Sequence, residues 1–502
     1  MAMWMEITVS MSNLQCVLAL ITVLLVVILT RIMRTTSIRG MPGPIGWPVV
    51  GSLFSLGDLP CLTLTNMAKQ YGDVFQIQLG NTNVVILNGA EAIREALFKK
   101  AAVFAGRPNF YTMMKNNGTG SDFAYSSYSE IWKKQKRMIE SSLKIFVVDR
   151  QRELEDLVVM ETTKMIRIVT EKNGKAVDMR QHIHNAVAKI SCLVYYSKNY
   201  DYDNDDFTNL ISCDEYFHDA IRSMGNPHDF LPVLRILPSR IQNRFDELVL
   251  FQKRFVSDIM AEHKEIESGI PRDIMDNMLL IRNTGDPSDA KKVWSHEHIC
   301  NILCNMFGAG VFGISHAIYL LILHMIIYPE VQNKLLYDID DVVSRKRLPQ
   351  LSDRTKLPYS YAVVYEVMRV TSVSSPAVPH CTMDNTNIFG YDIPKGTPLI
   401  PNIWSANYDE AIWDEPHQFR PERFLSDDGS LNKKTVAQMM AFGVGKRRCP
   451  GEQMAVTLTH LIFVILLHQC RFDKIQGDIP QVKFRDGLQL REDPFRVIVT
   501  QR

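Results

Sequence analysis

The 502-residue chain lacks an excess of either charge, and its cysteines lack the spacing of a metal or disulfide framework. Its formal net charge is only +1, which argues against nucleic-acid binding, because that function needs a strong basic excess. The nine cysteines include no C-x-x-C pair and are odd in number, so neither a zinc ribbon nor a disulfide scaffold is predicted. A reducing compartment fits these cysteines best.

A long apolar run near the N-terminus predicts a membrane segment. Residues 14–29 are almost uninterrupted aliphatic sequence, and Arg31, Arg34 and Arg39 follow them. The run is close to the length of a membrane span, and the arginines place its C-terminal side in the cytoplasm. No small-x-small cleavage site precedes them, so we interpret residues 1–33 as an uncleaved signal anchor rather than a secretory signal peptide. Residues 34–50 contain Pro42, Pro44 and Pro48 and are expected to form a stiff hinge before a single large domain, residues 51–502.

One loop near the C-terminus carries the strongest chemical signal. From Phe442 to Glu452 the sequence reads FGVGKRRCPGE, in which glycines and three cations surround Cys449. Glycine permits a tight turn, nearby positive charge favours a thiolate over a thiol, and an apolar helical pattern follows. Cys449 is therefore a candidate thiolate ligand, and a buried cysteine beside a basic turn is the alternative.

The full spacing of this loop resembles the haem-binding loop of the cytochromes P450. Phe442, Gly445, Arg447, Cys449 and Gly451 fill the pattern Phe-x-x-Gly-x-Arg-x-Cys-x-Gly. The resemblance implies that Cys449 is the axial thiolate of the iron of haem b. It also implies that Arg447 pairs with a haem propionate and that Phe442 packs near the thiolate.

Other stretches with the same resemblance occur in the order expected of the family. Trp132 and Lys136 lie one helical turn apart and resemble its Trp-x-x-x-Arg/Lys propionate-binding element, although a solvated basic face is the common alternative. His380 matches the position of another propionate ligand. Glu366 and Arg369, with Arg423 further along, resemble the family's buried Glu/Arg/Arg network, which is structural and needed for haem loading.

The region that activates oxygen departs from the family pattern. Residues 294–327 form one long helical pattern containing Phe307-Gly308-Ala309-Gly310. In the family an acid and a threonine follow this glycine and relay protons to bound dioxygen. Phe312 and Gly313 stand at those two positions here. Ser315 and His316 come later, and His316 would reach the pocket only if the helix were locally rewound, because each residue rotates by about 100°.

The resemblance covers almost the whole chain after Arg39 and implies a fold and a function. The expected fold is mainly α with a small β-rich lobe, the haem lying between the long helix and the cysteine loop, and a hairpin is predicted between Tyr71 and Leu87. The sequence most resembles those of microsomal family members of the aryl-hydrocarbon and steroidogenic types. The expected activity is therefore monooxygenation of an apolar, steroid-like or polycyclic substrate at the endoplasmic reticulum membrane.

The implied partners are a lipid bilayer and a membrane-bound reductase that supplies electrons from NADPH, with cytochrome b5 as an optional further donor. The missing acid and threonine keep three alternatives open. These are a haem-thiolate isomerase or lyase acting on a peroxide, a specialised biosynthetic oxidase, and a haem-binding protein with impaired turnover.

Overall fold

The chain folds mainly into α-helices, as the sequence predicts. The computed structural model describes residues 15–26, 38–117, 122–172, 174–263, 270–478, 480–487 and 489–502. The helices are α1 (Gln15–Val26), α2 (Pro60–Tyr71), α3 (Gly89–Arg94), α4 (Tyr111–Asn117), α5 (Glu130–Lys144), α6 (Gln151–Thr170), α7 (Arg180–Tyr196), α8 (Asp205–Ala220), α9 (Pro227–Phe230), α10 (Arg240–Glu262), α11 (Ile274–Thr284), α12 (Pro287–Lys292), α13 (His296–Ile327), α14 (Pro329–Val343), α15 (Pro358–Thr371), α16 (Ile403–Asn407), α17 (Lys433–Gln438) and α18 (Glu452–Gln469).

The strands are short and form small sheets. They are β1 (Val74–Leu79), β2 (Thr82–Leu87), β3 (Ala176–Val177), β4 (His380–Cys381), β5 (Thr386–Ile388), β6 (Tyr391–Ile393), β7 (Pro398–Pro401), β8 (Cys470–Asp473), β9 (Phe484–Arg485), β10 (Arg491–Glu492) and β11 (Val497–Gln501). The largest sheet has the order β1-β2-β7-β4, with β2 and β7 parallel. This sheet forms the predicted β-rich lobe and carries His380 on its edge strand.

The predicted hairpin is strands β1 and β2, which pair antiparallel from Val74 opposite Leu87. Gly80 begins the turn with φ +54°. A Cβ at this position would lie 2.1 Å from the carbonyl oxygen of Phe230, so the close approach of the α9 backbone requires glycine here.

Helix α13 is the central helix of the core. Its N-terminus is capped by Ser295, whose hydroxyl accepts the backbone N–H of His298, and Pro329 follows it and opens α14. Nearly all its side chains from Ile299 to Ile326 are buried, which explains why it is apolar on every side. Among the described residues it is the one helix long and apolar enough to cross a membrane, but 78% of its most apolar window is buried inside the fold. It is therefore a core helix.

The predicted membrane anchor falls only partly within the described residues. Of residues 1–33 the structure describes 15–26, which form the exposed apolar helix α1. The rest of the predicted anchor lies outside the described residues.

The proline-rich segment lies against strand β1 from Ile38 onward. The side chain of Gln76 accepts the backbone N–H of Ile38 at 2.8 Å and donates to the carbonyl oxygens of Ile38 and Met41 at 3.0 and 2.7 Å. Ile38 and Met41 are buried, and a Cβ at Gly43 would lie 1.9 Å from the Gln76 carbonyl oxygen. The segment predicted to be a hinge is thus fastened to the domain from Ile38 onward.

Candidate functional site

The cysteine loop is a tight turn whose shape depends on one glycine. The backbone N–H of Cys449 donates to the carbonyl oxygen of Phe442 at 2.9 Å, which closes the loop just before α18. Gly445 has φ +72°, and a Cβ there would lie 1.6 Å from the carbonyl oxygen of Leu97. The loop therefore packs directly on the π-helical turn Glu95–Lys99, and only glycine allows that contact.

Cys449 lines an internal cavity. Its side chain is exposed to solvent, yet the surrounding protein raises the pKa of its thiol through burial. A side chain that solvent can reach while protein encloses it faces a void inside the fold. Lys136 and Arg448 act to lower this pKa, as the sequence predicts, but burial outweighs them and the net shift is upward. Coordination by a metal ion would reverse this, because it deprotonates a thiol outright.

The middle of α13 borders a void of the same kind. Ala309 is exposed although the helix around it is buried, and Gly308, Gly310 and Gly313 are half-buried. A Cβ at Gly313 would meet no atom within 4 Å. The hydroxyl of Tyr195 lies 3.0 Å from where a Cβ of Gly310 would stand, and the pKa of Tyr195 is raised by burial and by nearby Cys449. Tyr195 thus packs against the glycine-containing stretch of α13.

Two buried guanidinium groups lie at the edge of this region. Arg447 donates to the carbonyl oxygens of Ala105 and Ser126 at 2.8 and 2.5 Å, and Arg107 donates to that of Pro379 at 2.8 Å. Burial, and for Arg447 also the charge of Arg107, lowers the pKa of Arg107 to about 10 and that of Arg447 to about 8.

Within the part of the chain that the structure describes, neither guanidinium forms an ion pair with a carboxylate. Paired buried cations without a counter-ion are costly, and they fit a ligand that carries carboxylates. Haem b has two propionates, so the cavity, its cysteine and these cations together fit that cofactor.

The predicted propionate ligands surround Arg447 but have protein partners of their own. The guanidinium of Arg447 stacks on the ring of Trp132 at 4.3 Å, while the indole N–H of Trp132 donates to the carbonyl oxygen of Phe123 at 3.0 Å. Lys136 lies 5.6 Å from the Trp132 ring, so the predicted shared helix face is confirmed. Its ammonium donates to the carbonyl oxygens of Lys446 and Arg448 at 2.9 and 3.4 Å and so fastens the cysteine loop to α5.

His380 is buried beside the same cluster. Its Nδ1 is hydrogen-bonded to the carbonyl oxygen of Phe104 at 2.7 Å. Burial, with a contribution from Arg107, holds the pKa of His380 well below its usual range. The imidazole is therefore neutral, and Nε2 is the nitrogen left to meet a cofactor.

The predicted ion-pair network is present. Arg369 donates from Nε and Nη2 to the two carboxylate oxygens of Glu366, both at 2.8 Å, and Arg423 donates to Glu366 Oε1 at 3.0 Å. Glu366 and Arg369 are fully buried. Arg369 also donates to the carbonyl oxygens of Asn407 and Pro416, so the network joins α15 to the stretch leading to the cysteine loop.

The predicted oxygen-activation region divides into two parts. Gly310 and Gly313 belong to the open stretch of α13, whereas Phe312, Ser315 and His316 line a separate polar crevice against α7 and β10. Helix α13 is continuous from His296 to Ile327, so the rewinding considered for His316 does not occur. His316 is instead hydrogen-bonded through Nε2 to Glu492.

Two residues of this region were missed by sequence reasoning. Arg107 lies in the stretch Gly106-Arg107-Pro108, which belongs to none of the motifs identified in the sequence. Glu492 is 176 residues from His316, and no local pattern indicates that contact.

The family model "Cytochrome P450" matches residues 41–499. The chain is 35% identical over 511 residues to cytochrome P450 1B1 of Rattus norvegicus, covering 98% of this chain and 94% of that protein. It is also 35% identical to cytochrome P450 1A1 of Sparus aurata, covering 95% and 94%. A solved structure of a zebra fish cytochrome P450 with progesterone has a TM-score of 0.78 and 27% identity, covering 88% of this chain and 99% of that one.

Proposed function

Because the chain belongs to the cytochrome P450 family, we propose that it inserts one atom of dioxygen into an apolar, steroid-like or polycyclic substrate. Membership makes it a P450 monooxygenase that uses haem b and electrons from NAD(P)H delivered by a reductase. The observation that carries the proposal is the enclosed yet accessible Cys449, with the exposed Ala309 of α13 and the unpaired Arg107–Arg447 cations nearby.

The chain's own residues would hold the cofactor in defined roles. Cys449 supplies the sulfur ligand, Gly445 allows its loop to approach Leu97, and Gly451 leads from the loop into α18 as its N-cap. Arg447 and Arg107 neutralise the propionates. The remaining groups support this arrangement: Trp132 stacks on Arg447, Lys136 fastens the loop, His380 offers Nε2, and Phe442 accepts the hydrogen bond of the Cys449 N–H. Bound there, haem b supplies the oxygen activation that no side chain can provide.

The substrate class is proposed from relatives and from the composition of the core. A zebra fish relative was solved with progesterone, and the core that surrounds α13 is apolar. An enclosed apolar cavity binds ligands mainly by removing their surface from water. A steroid or a polycyclic hydrocarbon fits that chemistry.

The proposed location is the endoplasmic reticulum membrane, with one span and the catalytic domain in the cytosol. Support comes from the exposed apolar helix α1 and from Arg31, Arg34 and Arg39 after it. On this proposal residues 1–33 are the anchor, 34–50 the hinge and 51–502 the catalytic domain.

A membrane-bound reductase, and cytochrome b5 as an optional second donor, would dock near the cysteine loop. The cations of α5 in this region form exposed pairs, Lys133 with Glu130 and Lys134 with Asp289, both at 2.6 Å. Exposed pairs contribute little to stability, so these lysines can exchange their partners for acidic groups of a donor protein.

The proposal is tested by supplying the membrane-bound protein with reductase, NADPH and labelled dioxygen, using steroid and polycyclic substrates. A parallel arm contains lipid peroxides and no reductase. We expect label in the product only when NADPH is present. Conversion confined to the peroxide arm would identify an isomerase or lyase instead. The variant Cys449→Ser is the control for dependence on the thiolate.

A further inference from the structure

A polar crevice leads from the surface to the middle of the core helix. It is narrow, with room for about one water molecule, and lies between α7, α13 and β10. The side chain of Arg180, at the outer end of the crevice, is 25% exposed. The side chains that α13 contributes are buried. Its lining consists of Arg180, His184, Phe312, Ser315, His316, Tyr319, Arg491 and Glu492.

A buried acid–base pair lies inside this crevice. His316 Nε2 is hydrogen-bonded to Glu492 Oε2, and the two residues are 6% and 3% exposed. Arg180 donates to Glu492 Oε1 at 2.9 Å. Burial acts to raise the pKa of Glu492, but His316 and Arg180 outweigh it and keep the pKa below its usual value. Glu492 is therefore an anion at neutral pH. Such a pair is rarely worth its desolvation as a stabilising device.

The other ring nitrogen of His316 is available. Nδ1 is buried and has no hydrogen-bond partner among the residues that the structure describes. Helical side chains lean over the turn that precedes them, and the His316 ring lies 5.2 Å from that of Phe312. Gly313 is three residues earlier and thus a neighbour of His316 on the helix surface.

At Gly313 the missing side chain leaves open space with no atom within 4 Å. A water in this gap would satisfy Nδ1. The sequence of groups from solvent to cavity is therefore Arg180, Glu492, His316 and the gap at Gly313.

We propose that Glu492 and His316 form a proton relay into the cavity, with a water at Gly313 as its last member. The inference rests on the proposed function. In the relay, the Nδ1–H bond of the imidazolium breaks and its proton passes to the water, which releases one of its own protons to the acceptor in the cavity. The neutral imidazole keeps its Nε2–H on Glu492, whose negative charge stabilises the imidazolium, and Nδ1 takes a new proton through the same water before the next transfer. Electrons arrive separately, from the reductase.

The groups around His316 define what a titration would report. Charged and titratable side chains face it from each element packed around it. They are Arg180 and His184 from α7, Glu492 and Arg491 from β10, and Tyr319 from α13 itself, whose hydroxyl donates to Asp178. Burial lowers the pKa of His184 to about 4, so His184 is an internal control that stays neutral above pH 5.5.

The first test is a titration of histidine signals by NMR in the carbon monoxide complex of the ferrous holoenzyme. The His316 signal is identified by its loss in His316→Gln. We expect the midpoint of this signal to fall by one pH unit or more, a tenfold change in proton affinity, in Glu492→Gln, because the carboxylate that favours the imidazolium is removed. A His316 signal that does not titrate, or that keeps its midpoint in Glu492→Gln, overturns the relay.

The second test measures the product formed per NADPH and the hydrogen peroxide released. Positioned proton transfer contributes about a hundredfold or more, so His316→Gln and Glu492→Gln should lower product per NADPH at least tenfold while peroxide rises. His184→Gln is the matched control in the same crevice and should behave as wild type. Adding Phe312→Asp to His316→Gln places a new acid in the crevice and should recover coupling several-fold.

The two proposals fail in different ways. If His316→Gln and Glu492→Gln both form as much product per NADPH as the wild type, the relay is overturned and the proposed monooxygenase function is unaffected. If wild-type protein forms no product with NADPH, the proposed function is overturned. The NMR titration then still tests whether Glu492 controls the protonation of His316, because it does not require turnover.

Discussion

At the scale of single residues, the cysteine loop depends on a glycine that no other residue can replace. Gly445→Ala would add left-handed strain to a contact with the Leu97 carbonyl oxygen at 1.6 Å. Strain and overpacking together should cost about 2–4 kcal/mol. We expect a lower melting temperature and loss of the thiolate band in the carbon monoxide spectrum.

Gly443→Ala is the matched control for that variant. Gly443 has a similar φ of +69°, but a Cβ there would meet no atom within 4 Å. Its cost should be limited to about 1–2 kcal/mol of backbone strain, and the spectrum should be kept. Equal losses in the two variants would contradict the role of the Leu97 contact.

The buried ion-pair network offers a second comparison of neighbouring residues. Arg423→Leu would leave Glu366 with one fewer partner in a site where the Arg423 side chain is 5% exposed, and breaking a buried pair costs about 3–5 kcal/mol. Arg420→Leu removes only exposed pairs with Asp414 and Glu415 and should cost within about 1 kcal/mol. The free energy of unfolding, from chemical denaturation, and the haem content are measured for both variants. A similar loss of stability and haem in each would argue against a structural role for Arg423.

At the scale of elements, strand β1 holds the segment that precedes the domain. Gln76→Ala removes the three hydrogen bonds to the backbone of Ile38 and Met41, each worth about 1 kcal/mol. Hydrogen exchange of the amides of residues 38–43 should become at least tenfold faster while the core helices keep their protection. Gln78→Ala is the control on the same strand, because the Gln78 amide nitrogen has no hydrogen-bond partner within the described part of the chain. Slow exchange at residues 38–43 in Gln76→Ala would refute the contact.

Local spacing predicted much of the fold and the site, and long-range packing accounts for what it missed. Glu366 and Arg369 are three residues apart on one helix, so sequence alone indicates their contact. The Cys449 loop and the β1–β2 hairpin are likewise local patterns. Arg107 and Glu492 gain their roles from partners far along the chain. The protonation of Cys449 depends on how much protein surrounds it, which no motif specifies.

At the scale of the whole molecule, buried histidines make the fold sensitive to acid. Burial lowers the pKa of His324 to about 4 and that of His460 to about 3, whereas an unfolded histidine titrates near 6.5. Below pH 6.5 the unfolded state therefore binds more protons than the folded state. The free energy of unfolding decreases as the pH is lowered through this range. Each histidine should cost about 2 kcal/mol at pH 5.

The acid sensitivity is measured by unfolding the protein at pH 7.5 and pH 5. His460→Gln should lessen the difference in unfolding free energy between these two pH values by about 2 kcal/mol. Tyr361→Phe, which alters the ring stacked on His460 at 3.7 Å, should leave the difference unchanged. An unaltered difference in His460→Gln would show that this histidine is not the group that titrates.

The hydrogen bonds of Gln76 to residues 38–41 limit how far the catalytic domain can lie from the bilayer. Eleven residues, 27–37, form the linker between the described part of α1 and these hydrogen bonds. Even a fully extended linker of this length reaches only about 40 Å. On the proposed topology the domain is confined to a thin layer above the bilayer. Its encounters with lipophilic molecules and with a membrane-bound reductase become two-dimensional searches at high effective concentration. Lengthening this linker would then slow electron delivery without altering a single contact in the catalytic domain.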